Sequence, residues 1–131
     1  MKALVIGGTQ FIGRHLVAAL VKSGAEVTVL HRRAEHDLGR KVANLQADRN
    51  DAESMRKVLA GLSFDVVFDL VYDAQRGTTA QSVCGAAQAL TGRIGRYVFI
   101  SSAAAYGDGL NHHEGDALAD DFCPDDYMRN K

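Results

Sequence analysis

Apolar and amphipathic segments alternate along the chain. Five short segments are rich in Val, Ile, Leu and Phe with few polar interruptions, which is typical of strands buried on both faces. They cover residues 2–7, 25–32, 41–48, 64–72 and 95–102. Between them, three segments place apolar residues at helical spacing, over residues 11–24, 51–62 and 79–92. The pattern therefore predicts strands and helices in alternation.

The predicted elements follow the order strand, helix, strand, strand, helix, strand, helix, strand. Strands joined through helices pair in parallel with right-handed crossovers, and the helices then cover both faces of the sheet. We expect an α/β fold, a Rossmann-type doubly wound parallel sheet of about five strands, in one domain over residues 1–131. Beyond Ala103 the composition shifts to Gly, His and Asp, which predicts a loop.

Composition narrows the class of partner. With 131 residues, of which 47% are hydrophobic, the chain can bury the core of one domain. The formal net charge of −1 provides no strongly basic surface, so nucleic acid is not the expected partner. No apolar run has the length of a membrane-spanning helix, and the chain opens on a strand pattern rather than a signal peptide. We therefore expect a cytoplasmic protein with no membrane partner.

Cysteine and histidine residues do not form a recognisable metal pattern. Cys84 and Cys123 lack the spacing of zinc ligands, and Cys84 lies in an apolar helical segment where we expect it to be in the core. His112, His113 and Glu114 are adjacent in a polar segment, which favours a solvated loop over a metal site. We expect no metal.

A glycine-rich segment joins the first predicted strand to the first predicted helix. It reads "GGTQFIG", residues 7–13. In a doubly wound sheet, such a turn directs bare backbone amides and the positive end of a helix toward a pyrophosphate. The alternative is an ordinary strand-to-helix turn. We expect a dinucleotide to contact Gly7, Thr9, Gln10, Phe11, Ile12 and Gly13.

The same segment resembles the fingerprint of the extended short-chain dehydrogenase/reductase superfamily, the NAD-dependent epimerase/dehydratase group, which has the pattern Gly-x-x-Gly-x-x-Gly. Gly7 and Gly13 match the outer glycines, and Gln10 replaces the middle one. A glutamine there either displaces the pyrophosphate or offers its own amide to it. The same departure occurs in an atypical branch, where Arg or Gln follows "GGT", and which includes chloroplast stem-loop RNA-binding proteins beside reductases and epimerases.

Two further segments extend the resemblance. "YVFISSAAAYG", residues 97–107, resembles the fifth strand of the family, and Ser102 stands at the position of its catalytic Ser or Thr, four residues before Tyr106. Tyr127 and Lys131 match the family's Tyr-x-x-x-Lys. The i, i+4 spacing puts both on one helix face, where the ammonium favours the phenolate. The resemblance implies that Tyr127 is the general base, that Ser102 hydrogen-bonds the substrate oxygen, and that Lys131 holds the nicotinamide ribose.

The end of the second strand bears on the choice of cofactor. NAD-binding folds usually place an acidic residue there, whereas NADP-binding folds place an Arg near the 2′-phosphate. This chain has His31 at that position, followed by Arg32 and Arg33, which favours NADP over NAD. The alternative is a solvated basic loop.

Two other strand ends resemble cofactor contacts of the family. Asp48, after the third strand, resembles an adenine-contacting acid, although an acid at a helix N-terminus is an alternative. Backbone atoms of Leu70, Val71 and Tyr72, at the end of the fourth strand, are expected beside the cofactor.

The resemblance implies hydride transfer by an epimerase, dehydratase or reductase acting on a small molecule such as a nucleotide sugar. Two alternatives stay open: a non-catalytic dinucleotide-binding regulator, and an RNA-binding protein of the atypical branch. Family members are roughly twice as long, so we expect a truncated chain without the C-terminal substrate region and with little or no turnover. The fifth strand would then lie at the sheet edge and could pair with a second copy in a homodimer.

Overall fold

The computed structural model describes residues 1–72, 78–107 and 111–118. Its strands and helices follow the predicted order, with bounds that differ by one to four residues at most ends because helix and strand termini taper into turns. They are β1 (Lys2–Ile6), α1 (Phe11–Lys22), β2 (Glu26–His31), β3 (Val42–Gln46), α2 (Ala52–Val58), β4 (Phe64–Asp69), α3 (Ala80–Gln88) and β5 (Ile94–Phe99). A short 3-10 helix, Ala103–Tyr106, occupies part of the expected loop.

All five strands pair in parallel, in the order β3-β2-β1-β4-β5. The Rossmann-type doubly wound sheet expected from the sequence is confirmed. Ile6, the last residue of β1, pairs with Leu30 of β2 and with Asp69 of β4. The chain continues from β1 to β2 and β3 on one side and returns to β4 and β5 on the other, so the strand order reverses between β1 and β4. Such sheets form a crevice at this point, outside the carboxyl ends of the strands.

Two hydrophobic clusters cover the two faces of the sheet. Alternate residues of β1 point to opposite faces, since side chains alternate along a strand. Ala3 and Val5 pack in a cluster with Val17 of α1. The opposite cluster contains Leu4, Ile6, Met55, Leu59, Ala86 and Leu90, which come from β1, α2, α3 and its C-terminal turn. Burial of each of the large apolar side chains there stabilises the folded chain by about 1.5–3 kcal/mol relative to leaving that side chain exposed.

The helices are short, and α1 with 12 residues is the longest in the described part of the chain. Within that part, no helix combines the length and the hydropathy that a bilayer crossing requires. Cys84 is exposed, so the expectation that it belongs to the core is wrong. The face of α3 that packs on the sheet carries Ala86. Cys84, two positions earlier, lies about 200° around the helix and so falls on the opposite, exposed face.

Candidate functional site

A cleft of about 390 Å³ lies at the carboxyl edge of the sheet, above β1 and between β2 and β4. Lys131, which is expected to hold the nicotinamide ribose, lies outside the described residues. The cleft contains the twelve other residues predicted to contact a cofactor. These are Gly7, Thr9, Gln10, Phe11, Ile12, Gly13, His31, Arg32, Asp48, Leu70, Val71 and Tyr72. Residues from four separate segments of the sequence thus converge on one cavity.

One wall of the cleft is residues 7–13, here called the glycine turn. Gly7 has a φ of +84°, a conformation that side chains disfavour. A Cβ on Gly13 would lie 2.7 Å from the Gly7 carbonyl oxygen and 2.8 Å from the Gly8 Cα. Gly7 and Gly8 therefore pack directly against the first turn of α1, and only glycine fits at Gly13.

The N-terminus of α1 has no side-chain cap. Gln10 is the N-cap residue in an extended conformation, its side chain makes no capping bond, and the first turn holds no acidic residue. Phe11 has a φ of 41°, which costs a bulky residue about 1–3 kcal/mol, and is 85% exposed. The uncapped helix end leaves partial positive charge beside the cleft, where an anion would be stabilised.

His31 lies at the end of β2 and is only 8% exposed. Its Nδ1 accepts a hydrogen bond from the Arg33 amide at 3.3 Å, which in the neutral ring leaves the hydrogen on Nε2. Nε2 is buried and has no hydrogen-bond partner among the described residues. Burial is the main cause of the lowered His31 pKa, and the charges of His36 and Arg33 lower it further. The Asn44 side chain of β3 raises the pKa, although it does not reach hydrogen-bonding geometry at Nε2. His31 therefore presents an unused donor.

A second, more open cavity of about 800 Å³ adjoins the cleft and shares part of the glycine turn with it. Arg33, Glu35 and His36 line it from the loop after β2. Arg14 of α1 donates to Asp37 at 2.7 Å, and this hydrogen bond holds the pKa of the Asp37 carboxyl below its usual value. The pair ties the loop after β2 to α1.

The opposite wall of the cleft contains a buried ion pair that sequence reasoning missed. Arg49, which lines the cleft, and Asp69 have side chains that are 1% and 0% exposed, with Nε 3.1 Å from Oδ2. The Tyr97 hydroxyl donates to the same carboxylate at 2.8 Å. Burial is the main cause that raises the Tyr97 pKa, so this hydroxyl stays a neutral donor. Arg49, Asp69 and Tyr97 are called the charged network below.

A signal for this network exists in the sequence. Asp69 ends a predicted strand of otherwise apolar character, and a carboxylate buried there requires a partner. Nothing in the periodicity indicates which cation supplies it, because Arg49 is 20 residues away.

The expected catalytic residues are only partly described by the structure. Ser102 follows β5 and begins the 3-10 helix, and its Oγ accepts from the Ala104 amide at 3.2 Å. Ile100, two residues earlier, lines the cleft. Tyr127 and Lys131 lie outside the described residues, so their predicted roles stay predictions.

The histidine-rich segment makes local contacts. Tyr106 stacks on His112 with ring centroids 5.3 Å apart, and the His112 Nδ1 is 3.7 Å from the Asp116 carboxylate. In residues 1–72, 78–107 and 111–118, no three His, Cys, Asp or Glu residues are grouped as metal ligands would be.

The profile of the NAD dependent epimerase/dehydratase family matches residues 3–127 of this sequence. The chain belongs to that family. The resemblance drawn from the glycine turn is therefore confirmed at the level of the family.

Individual curated proteins are similar to this chain. A chloroplast stem-loop binding protein of 41 kDa b from Arabidopsis thaliana is 33% identical, over 89% of this chain and 34% of its own length. A UDP-glucose 4-epimerase from Lactobacillus helveticus is 34% identical, over 82% of this chain and 37% of its own length. The chain thus spans about a third of the length of these curated relatives.

Solved structures show the same fold. The UDP-glucose 4-epimerase of Bifidobacterium longum, crystallised in complex with NAD+ and UDP, has a TM-score of 0.76 at 20% sequence identity. The similarity covers 100% of this chain and 46% of that one. The Rossmann-type sheet is therefore shared between them.

Proposed function

We propose that the cleft binds a nicotinamide dinucleotide, with its pyrophosphate on the glycine turn. The observation that carries this proposal is the close approach of Gly13 to Gly7 and Gly8, which leaves bare backbone at the start of α1. Backbone amides and the positive end of an uncapped helix together favour a bound phosphate. Membership of an NAD-dependent family supports the same ligand.

We further propose that NADP is preferred over NAD. An acidic residue at the end of β2 would accept a hydrogen bond from a ribose hydroxyl. His31 instead offers a buried Nε2 donor that no described residue accepts, which suits the acceptor oxygens of a 2′-phosphate. Arg32 lines the same part of the cleft, and its guanidinium adds the positive charge that a phosphate requires.

The reaction proposed for the whole protein is hydride transfer on a hydroxyl or carbonyl carbon of a nucleotide sugar. The support is similarity to UDP-glucose 4-epimerases and the position of Ser102 three residues after β5, at the start of the 3-10 helix. A bound nicotinamide supplies the hydride acceptor. Tyr127 takes the proton from the substrate hydroxyl, Ser102 hydrogen-bonds that oxygen, and Lys131 favours the phenolate.

Calorimetric titration of the chain with NADP+ and, separately, NAD+ tests the cofactor proposal. We expect NADP+ to bind more tightly, and Arg32→Ala to weaken NADP+ binding about tenfold, as loss of one charged contact would, with little effect on NAD+. Arg56→Ala is the matched control, because Arg56 is exposed on α2, away from the cleft, and donates to the Ala52 carbonyl of its own helix. Equal affinities would contradict the NADP preference. Absence of both, in a chain with the expected circular dichroism, would contradict the dinucleotide site itself.

A second candidate is binding of a structured RNA. The Arabidopsis relative, a stem-loop binding protein by name, is 33% identical to this chain. The net charge of −1 argues against a large phosphate-binding surface. Binding of an RNA hairpin with an affinity that falls steeply as the salt concentration rises would support this candidate. Absence of binding even at a low salt concentration of about 50 mM would eliminate it.

A further inference from the structure

The charged network holds Val71, two residues after the end of β4. The Arg49 Nη2 donates to the Val71 carbonyl at 2.9 Å, and the Val71 amide donates to the Asp69 Oδ1 at 3.2 Å. The Thr78 hydroxyl also reaches the Val71 carbonyl, at 3.4 Å. Both backbone polar groups of Val71 are therefore fixed by the two members of one ion pair.

Val71 in turn touches the glycine turn. Its Cγ2 would lie 2.8 Å from a Cβ placed on Gly7, and the neighbouring Leu70 amide donates to the Ile6 carbonyl at 3.0 Å. The ion pair is thereby linked through one residue to the wall of the cleft that we assign to the pyrophosphate.

Arg49 also reaches α3. Its Nη1 donates to the Ser82 Oγ at 2.8 Å and to the Asn50 side-chain oxygen at 3.1 Å. Ser82 forms the capping box of α3 with Thr79, so its position is fixed by the helix start. The guanidinium consequently joins the loop after β3, the end of β4 and the first turn of α3.

Stability alone is a weak reason for such a pair. Removing two charges from water is costly, and replacing a buried ion pair with apolar residues of similar volume is often neutral or stabilising. What apolar residues could not do is bind the two backbone groups of Val71 at the cleft.

We propose that Arg49 is a positioning residue of the dinucleotide cleft: together with Asp69 it fixes Val71 against Gly7, and so sets the spacing between the two walls. This inference rests on the proposed dinucleotide site. It assigns Arg49 no contact with the reacting atoms. Its consequence is that cofactor affinity depends on the ion pair even where stability does not.

The test is a variant in which the whole charged network becomes apolar, Arg49→Met with Asp69→Leu and Tyr97→Phe. It leaves no unpaired buried charge but removes the partners of the Val71 amide and of one bond to its carbonyl, so we expect it to fold with a urea midpoint modestly below that of the wild type. Its NADP+ dissociation constant, measured by calorimetry, should rise at least tenfold. A folded triple variant that binds NADP+ with wild-type affinity would overturn the proposal.

Arg49→Lys keeps the test decisive if the triple variant does not fold. Lysine retains the charge, but its single nitrogen cannot serve Asp69, Val71 and Ser82 in the fork geometry of a guanidinium. We expect faster hydrogen exchange at the Val71 amide without ligand, and weaker NADP+ binding. Wild-type exchange and affinity in this variant would contradict the proposal. Faster Val71 exchange in a protein whose wild type binds neither NADP+ nor NAD+ would instead overturn the proposed function, and with it the role in affinity.

Discussion

The two walls of the cleft are built by opposite physical means. The glycine turn depends on the absence of side chains, since a Cβ on Gly13 would lie 2.7 Å from the Gly7 carbonyl oxygen. The wall at the end of β4 depends instead on the buried ion pair of Arg49 and Asp69, and Asp69 is 0% exposed. The first wall is therefore sensitive to added atoms and the second to removed charges.

The largest expected effect follows from removing only one member of the buried ion pair in the second wall. Arg49→Met leaves the Asp69 carboxylate buried without its cation, which should lower the free energy of unfolding by about 3–5 kcal/mol. Urea unfolding monitored by circular dichroism measures this. Arg56→Met, on the exposed face of α2, should change the free energy by no more than about 0.5 kcal/mol. Equal effects of the two substitutions would show that the buried pair has no special energetic role.

Adding one methyl group to the first wall should have the next largest effect. Gly13→Ala forces Gly7 and Gly8 away from the first turn of α1, at a cost of about 1–3 kcal/mol, and should abolish NADP+ binding. The control is Gly85→Ala in α3, where the new Cβ would meet the Ala52 Cβ at an ordinary 3.7 Å. That variant should gain up to about 1 kcal/mol from helix propensity and bind normally. Unchanged NADP+ affinity in Gly13→Ala would contradict the assignment of the pyrophosphate.

A smaller effect should come from capping the helix beside the glycine turn. Gln10 makes no capping bond, whereas a serine at the N-cap bonds the free amides of the first turn. Gln10→Ser should therefore raise the free energy of unfolding by up to about 1 kcal/mol in a chemical denaturation experiment. A loss of stability would indicate that the Gln10 side chain stabilises the turn in another way.

The smallest expected effect concerns pH. Burial lowers the pKa of His31 from 6.5 in the folded chain, so the unfolded chain binds more protons once the pH falls below about 6.5. The His31 contribution to stability should thus be constant above this pH and decline below it. Unfolding of wild type and His31→Gln at pH 7.5 and 5.5, values chosen at roughly one unit either side, should show a smaller difference at the lower pH. His15→Gln, on the exposed side of α1, serves as the control, and a difference independent of pH would contradict the account.

The two walls also differ in how far the sequence predicts them. The glycine turn occupies contiguous residues with fixed spacing, so its glycines, its helix and its place at the sheet edge follow from the pattern, and the structure agrees. The same is true of the strand ends at His31 and Val71, because parallel strands bring their carboxyl ends to one edge.

The charged network could not be predicted in the same way. The contacts among its three members join residues 20 and 28 positions apart, and only the folded sheet brings Arg49 to Asp69 and Asp69 to Tyr97. The exposure of Cys84 was missed for a related reason. An apolar segment indicates a helix, but which of its faces packs on the sheet depends on tertiary contacts, here those of Ala86.

We propose that one cleft, lined by these two unlike walls, binds the dinucleotide. The most direct test is an NMR titration of the ¹⁵N-labelled chain with NADP+, following each backbone amide. We expect saturable shifts at Gly7, Gly13 and Val71, on both walls together. Shifts confined to α3 and β5, or none in a folded chain, would contradict it.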